Sequence, residues 1–114
     1  MDDNIRKHLC DIHDSIVEIE EESALRGRKF SVFCSDRVFR KFIERNIGII
    51  GEAVNRVLRL NPDVQITAAR NIVNTRNLII HSYDSIDNEI IWAIVIKHLP
   101  VLKQEVEWLL KSKD

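Results

Sequence analysis

Glycine, proline and cysteine are scarce in this sequence of 114 residues, which has three Gly, two Pro and two Cys. So few turn-forming residues argue against an all-β fold, which needs many tight turns. Cys10 and Cys34 lack the paired spacing of a metal site, so we expect reduced thiols in the cytoplasm. There is no long apolar run and no apolar core near Met1, so we expect neither a membrane span nor an export signal.

Apolar residues are instead spread along the chain at helical spacing. They make up 45% of the sequence, and charged residues make up 31%. This composition and length suit one domain, residues 1–114, that buries a core and exposes many charged helical faces. We therefore predict an all-α fold, an up-and-down bundle of four main helices without strands.

The boundaries of these helices follow from capping residues and prolines. In chain order, the predicted helices run from a cap at Asp2–Asn4 to about Glu22, from Asp36 to Leu60, from Pro62 to about Ile80, and from a cap at Ser85 or Asp87 towards the end of the chain. Residues 23–35 break the helical period, and Arg26-Gly27-Arg28-Lys29 within them is predicted to form a basic loop. Pro100 lacks an N–H, so we expect it to kink the last helix.

The second predicted helix has two unusual features. Its apolar arc spans about 200° of a helical wheel, which is wider than one neighbour covers, so we expect a central position and an additional contact with another chain. Gly48 and Gly51 lower helix stability by about 1 kcal/mol each, which close approach of another helix or a ligand would explain. Arg37, Lys41 and Arg45 form a basic edge at four-residue spacing, either a solvated face or a series of phosphate contacts.

The densest group of reactive side chains is the stretch Arg76-Asn77-Leu78-Ile79-Ile80-His81-Ser82-Tyr83 at the end of the third predicted helix. On a helical wheel, Arg76 falls in the middle of the apolar arc, and His81 lies just beyond its rim. A buried arginine is costly unless it is paired or hydrated. That face therefore lines a polar cleft, or Arg76 has a partner there.

These side chains suit chemistry at a phosphodiester. Arg76 can hold a phosphate and stabilise added negative charge, His81 can transfer a proton at neutral pH, and Asn77 can orient the imidazole or a ligand oxygen. The segment 31–81 carries a net charge of about +4, which permits a phosphate-bearing ligand without requiring one. The sequence has no metal-ligand signature, so we expect no metal and no cofactor. RNA supplies its own nucleophile, the 2′-hydroxyl.

The spacing of Arg76 and His81 points to a dimer. Five residues correspond to about 140° on an ideal helix, so the two side chains converge only if the helix unwinds near Ile80 or a second copy completes the site. One histidine also cannot be base and acid in a single step. The structural alternative is a capping network, with Arg76 paired to a carboxylate such as Asp84 or Glu52.

The motif, read as Arg-Asn-x-x-x-His-x-Tyr, resembles the signature of the HepT-like proteins of the HEPN superfamily. The stretch Ile49-Ile50-Gly51-Glu52-Ala53, the chain length and the all-helical layout are also similar to that family. The resemblance covers nearly the whole chain. It implies a metal-independent endoribonuclease that forms a homodimer with a composite active site, in which Arg76, His81 and Asn77 would match the catalytic residues.

The resemblance further implies the toxin of a HepT/MntA (type VII) toxin–antitoxin pair in the cytoplasm. The partner would be an MntA-like minimal nucleotidyltransferase, which would transfer AMP to Tyr83, the single tyrosine of the chain. The added charge and bulk would block RNA from the cleft. The alternative function is a non-catalytic helical subunit that binds a nucleotide or the nucleotidyltransferase. A purely structural bundle is a third interpretation.

Overall fold

The computed structural model describes residues 1–81 and 87–111, and these form helices without any strand. The elements, in order, are α1 (Asp3–Leu25), α2 (Phe30–Ser35), α3 (Arg37–Leu60), α4 (Ala69–His81), α5 (Asn88–Ala93), a π-helical segment (Ile94–His98) and α6 (Leu99–Lys111). The all-α bundle expected from the sequence is therefore confirmed. Within the described ranges, no helix has the length and apolar content needed to cross a membrane.

The core lies between the long helices. Helix α3 packs against both α1 and α4, and α1 also packs against α6. Ile12, Ile16, Ile43, Ile47 and Ile50 are all fully buried. Each such side chain contributes about 1.5–3 kcal/mol relative to an exposed one, so the apolar stripes of α1 and α3 hold the bundle together. The predicted central position of α3 is confirmed.

The predicted loop at residues 26–29 is confirmed, but the sequence analysis missed the element that follows it. There, α2 forms a short helix anchored by Phe33, which is fully buried. The ring of Phe33 packs edge-on against Phe39 at 6.0 Å and stacks on Trp92 at 5.1 Å between centroids. A helix of six residues is too short to show a helical period in the sequence. Its conformation is stabilised instead by the packing of the Phe33 ring in the core.

The predicted start of the third helix at Pro62 is also wrong, because α4 begins at Ala69. The side chain of Asn61 accepts a hydrogen bond from the Asp63 backbone at 3.1 Å, which forms a turn rather than a helix cap. The backbone N–H and hydroxyl of Thr67 both donate to the Glu105 carboxylate, at 3.0 and 2.7 Å. Contacts with α6 thus hold this segment in an irregular conformation.

Pro100 disturbs the last helix as expected, and the disturbance is a π-helical segment just before it. Asp87 caps α5 by accepting from the Glu89 backbone, and the helix then widens into the π-helical segment before Pro100. There the N–H of Leu99 donates to the carbonyl of Ile94, five residues back. Pro100 lacks a donor and its ring crowds the preceding turn, and this wider turn accommodates it.

Candidate functional site

Arg76 lies on the face of α4 that contacts α3, as the helical wheel predicts. Its side chain is 23% exposed. Gly51 makes this position possible, because a β-carbon there would lie only 2.9 Å from Cγ of Arg76 and 3.3 Å from the carbonyl oxygen of Ile72. The expectation that a helix closely approaches Gly51 is confirmed. Gly48 differs, since an added β-carbon would meet nothing within 4 Å.

The guanidinium of Arg76 is bound within its own subunit. Nη2 donates to Oε2 of Glu52 at 2.5 Å, and Nη1 donates to Oδ1 of Asn77 at 2.9 Å. The other oxygen of Glu52 accepts from Nε of Arg56 at 3.0 Å. Nε of Arg76 is buried without a hydrogen-bond partner among the described residues. Glu52 and Asn77 therefore fix the plane of the guanidinium and leave part of its donor capacity unused.

Glu52 remains ionised in this arrangement. The hydrogen bond from Arg56 and the positive charge of Arg76 lower the pKa of its carboxyl, against the opposing effect of burial. A charged Glu52 partly compensates Arg76. The sequence predicts either a partner for Arg76 or a polar cleft on its face of the helix. The structure has the partner, Glu52, and it has a cleft as well.

A cleft of about 520 Å³ opens beside Arg76, between α1, α3 and α4. Its charged lining residues are Lys7, Asp11, Glu44, Arg45, Glu52, Arg56 and Arg76. Two further lining residues, Ile49 and Ile80, are 41% and 49% exposed, and Gly48 adds open space beside them. The cleft thus combines a slight excess of positive charge with an apolar rim, which suits either a phosphate-bearing ligand or another protein surface.

Part of the predicted basic edge belongs to this cleft. Arg45 lines it, whereas Arg37 and Lys41 are exposed on the earlier turns of α3 and are not among its lining residues. The sequence analysis did not predict the contribution of α1, because charged and polar residues such as Lys7 and His8 are common on any solvated helical face. No periodicity marks residues that border a cleft formed by a neighbouring helix.

His81 is not among the residues that line the Arg76 cleft. It is exposed at the last position of α4 and lines a second groove, of about 560 Å³, with Asn74, Asn77 and Leu78. Helix α4 continues regularly through His81, so unwinding near Ile80 does not bring the two catalytic candidates together. Within one subunit, Arg76 and His81 therefore face different grooves. Asn77 connects them, since it binds Arg76 and also lines the groove of His81.

Two other sequence predictions bear on the site. Tyr83 lies outside the described residues, so its role stays a prediction. No group of His, Cys, Asp and Glu in residues 1–81 and 87–111 is arranged to hold a metal ion.

Comparison with known proteins gives a consistent assignment. The family model described as ribonuclease HepT-like matches residues 12–109. A Methanocaldococcus jannaschii protein named as a candidate RNase is 30% identical over 96% of this chain and 89% of its own length. A second such protein from the same organism is 31% identical, over 91% of this chain and 94% of its own.

A Thermococcus cleftensis protein named as a candidate ribonuclease HepT is also 31% identical, over 93% of this chain and 96% of its own length. No solved structure gives a significant match. The family model covers most of the chain, including α3 and α4, which carry the charged cleft and the motif. The chain belongs to the ribonuclease HepT-like family of the HEPN superfamily.

Proposed function

We propose that this protein is the toxin of a HepT/MntA-type pair, a metal-independent endoribonuclease whose active site forms between two copies of the chain. One observation carries the proposal: Arg76 and His81 face different grooves of one subunit, although the chemistry needs both at one phosphodiester. A two-fold dimer would set α4 of one copy beside α4 of the other. Arg76 of one copy could then meet His81 of its partner.

In that site the 2′-hydroxyl of RNA attacks the adjacent phosphorus. His81 of one copy accepts the hydroxyl proton, and His81 of the other donates a proton to the departing 5′-oxygen. Arg76 binds the phosphate oxygens as charge develops, with Glu52 and Asn77 holding its guanidinium in place. The products are a 2′,3′-cyclic phosphate and a 5′-hydroxyl, and neither step requires a metal ion.

The direct test is cleavage of single-stranded RNA by the purified protein in EDTA. His81→Ala should abolish cleavage and leave the circular dichroism spectrum unchanged. His13→Gln is a matched control, because His13 lies on α1 and bonds Glu107 of α6 at 3.0 Å, a contact that glutamine can preserve. Continued cleavage by pure His81→Ala protein would overturn the proposal.

Neutralisation is the second part of the proposal. An MntA-like nucleotidyltransferase would transfer AMP from ATP to the hydroxyl of Tyr83, with release of pyrophosphate, in the cytoplasm where RNA and ATP are available. Tyr83 follows His81 by two residues, so an adenylyl group there would bring negative charge close to the RNA. Mass spectrometry of the peptide that contains Tyr83, after incubation with partner and ATP, should show added AMP. An unmodified Tyr83 in neutralised toxin would contradict it.

A second candidate function is a non-catalytic subunit that binds a nucleotide or the nucleotidyltransferase. The ion pair between Arg76 and Glu52 favours it, because an arginine already compensated by a carboxylate needs no RNA phosphate. A stable complex with the nucleotidyltransferase, together with no RNA cleavage by free unmodified protein, would support this candidate over the ribonuclease.

A further inference from the structure

Asn74, Asn77, Leu78 and His81 form a stripe along one face of α4. All four line the groove of about 560 Å³. Their spacing of three and four residues places them within about 100° of a helical wheel, whereas Arg76 lies on the opposite side of the helix. Asn74 is exposed and Leu78 is 47% exposed, so the stripe is open to a ligand.

The chemistry of the stripe differs from that of the Arg76 cleft. No Lys, Arg, Asp or Glu is among its lining residues in the part of the chain that the structure describes, whereas the Arg76 cleft has seven such residues. Two carboxamides offer both donors and acceptors, and Leu78 offers an apolar surface. Asn74 and Leu78, which carry no charge, are less suited to a phosphate than the basic residues of the Arg76 cleft. They suit the edge and the face of a nucleobase.

We infer that this stripe is a nucleobase subsite for single-stranded RNA, in which Asn74 reads the base edge while Leu78 supports the ring. The inference rests on the proposed ribonuclease function and adds sequence preference to it. Asn74 precedes His81 by seven residues, a rise of about 10 Å along the helix. The base that it contacts therefore belongs to a nucleotide flanking the cut, not to the scissile phosphate itself.

The test compares cleavage sites in a randomised single-stranded RNA library, in EDTA, for the unmodified full-length protein and three variants. Asn74→Ala removes the base contact, and Asn74→Asp replaces a donor–acceptor group with an acceptor. Asn71→Ala is the matched control, because Asn71 is an exposed asparagine one turn earlier on α4 that does not line the groove. Circular dichroism and size-exclusion chromatography check the fold and assembly of each variant.

We expect the unmodified protein to prefer one base at a position flanking the cut by about fivefold or more. Asn74→Ala should lose that preference while still cleaving, Asn74→Asp should shift it towards bases with an exocyclic amino group, and Asn71→Ala should keep it. An absence of preference in the unmodified protein, or an unchanged preference in Asn74→Ala, would overturn the inference.

A binding assay keeps this inference separate from the proposed function. In the His81→Ala background, affinities for oligo-A, oligo-C and oligo-U are measured with and without Asn74→Ala. Loss of discrimination between these RNAs on removing Asn74 supports the subsite even if the unmodified protein does not cut RNA. Equal discrimination with and without Asn74 contradicts the subsite, whether or not cleavage is observed.

Discussion

Gly51 of α3 and Arg76 of α4 mark a point where the two helices are in close contact, so that a β-carbon on Gly51 would be 2.9 Å from Cγ of Arg76. One residue later, Glu52 binds the guanidinium of the same arginine. Residues 51–52 and Arg76, which are far apart in the sequence, are thereby in direct contact. The glycine allows the contact, and the glutamate sets the orientation of the arginine.

Replacing Gly51 by alanine tests this contact. The added methyl group would displace Arg76 or push α4 away, so we expect a loss of about 1–3 kcal/mol in the free energy of unfolding. Gly48→Ala is the matched control on the same helix, because its β-carbon would meet no atom within 4 Å. That substitution should stabilise the helix by up to about 1 kcal/mol. Urea denaturation measures both, and equal stability of the two variants would contradict the packing.

Glu52 should make the stability of the protein depend on pH. Its pKa is lowered in the folded state by Arg56 and Arg76, so folding favours the ionised carboxyl. The resulting stabilisation is fully present above the unfolded pKa of about 4.3 and disappears as pH falls through the lower folded value. Glu52→Gln should therefore lose less stability than the unmodified protein between about pH 6 and about pH 3.

Melting temperatures at several pH values measure this difference. Asp36 and Glu107 also have lowered pKa values, the first mainly because it accepts a hydrogen bond from the Phe39 backbone and the second mainly through its hydrogen bond with His13. The unmodified protein and Glu52→Gln should therefore both lose stability in acid, and only the slope of melting temperature against pH should differ between them. Identical slopes for Glu52→Gln and the unmodified protein would show that the contacts of Glu52 with Arg56 and Arg76 do not stabilise the fold.

Arg45 should contact RNA more strongly than basic residues outside the cleft. It lines the cleft of Arg76, so Arg45→Gln should weaken binding of single-stranded RNA and reduce the slope of log affinity against log salt by about 0.7. Arg59→Gln is the control, because Arg59 is exposed on α3 but does not line the cleft. Equal effects of the two substitutions in a salt titration would contradict a specific phosphate contact at Arg45.

Sequence periodicity predicted the long helices well, because their apolar stripes reflect burial against neighbours. It also placed Arg76 on the core-facing side of its helix, where the structure finds it. The start of α4 was missed because Glu105, far along the chain, binds Thr67 and holds that segment out of the helix. Contacts of this kind depend on the packed fold and leave no local pattern.

In the site, too, some features follow from the local sequence, and others depend on how the helices pack. The separation of Arg76 and His81 follows from helix geometry alone, so the amino-acid sequence is enough to suggest that a second copy completes the site. Glu52 was one of two carboxylates considered as the partner of Arg76, and the packing of α3 on α4 brings it into contact. The contribution of Lys7 to the cleft had no signal at all in the sequence.

The central claim is that Arg76 and His81 act across a subunit boundary, and mixed dimers test it most directly. Two mixed dimers are refolded from chains that carry different affinity tags and are purified through both tags. One pairs an Arg76→Ala chain with a His81→Ala chain, and the other pairs an unmodified chain with a chain that carries both substitutions. Each dimer keeps one Arg76 and one His81, on different chains in the first and on the same chain in the second. Because each lacks the second histidine, both should cleave RNA more slowly than the unmodified dimer. The account predicts faster RNA cleavage by the first dimer than by the second. Equal cleavage, or faster cleavage by the second dimer, would contradict a site shared between subunits.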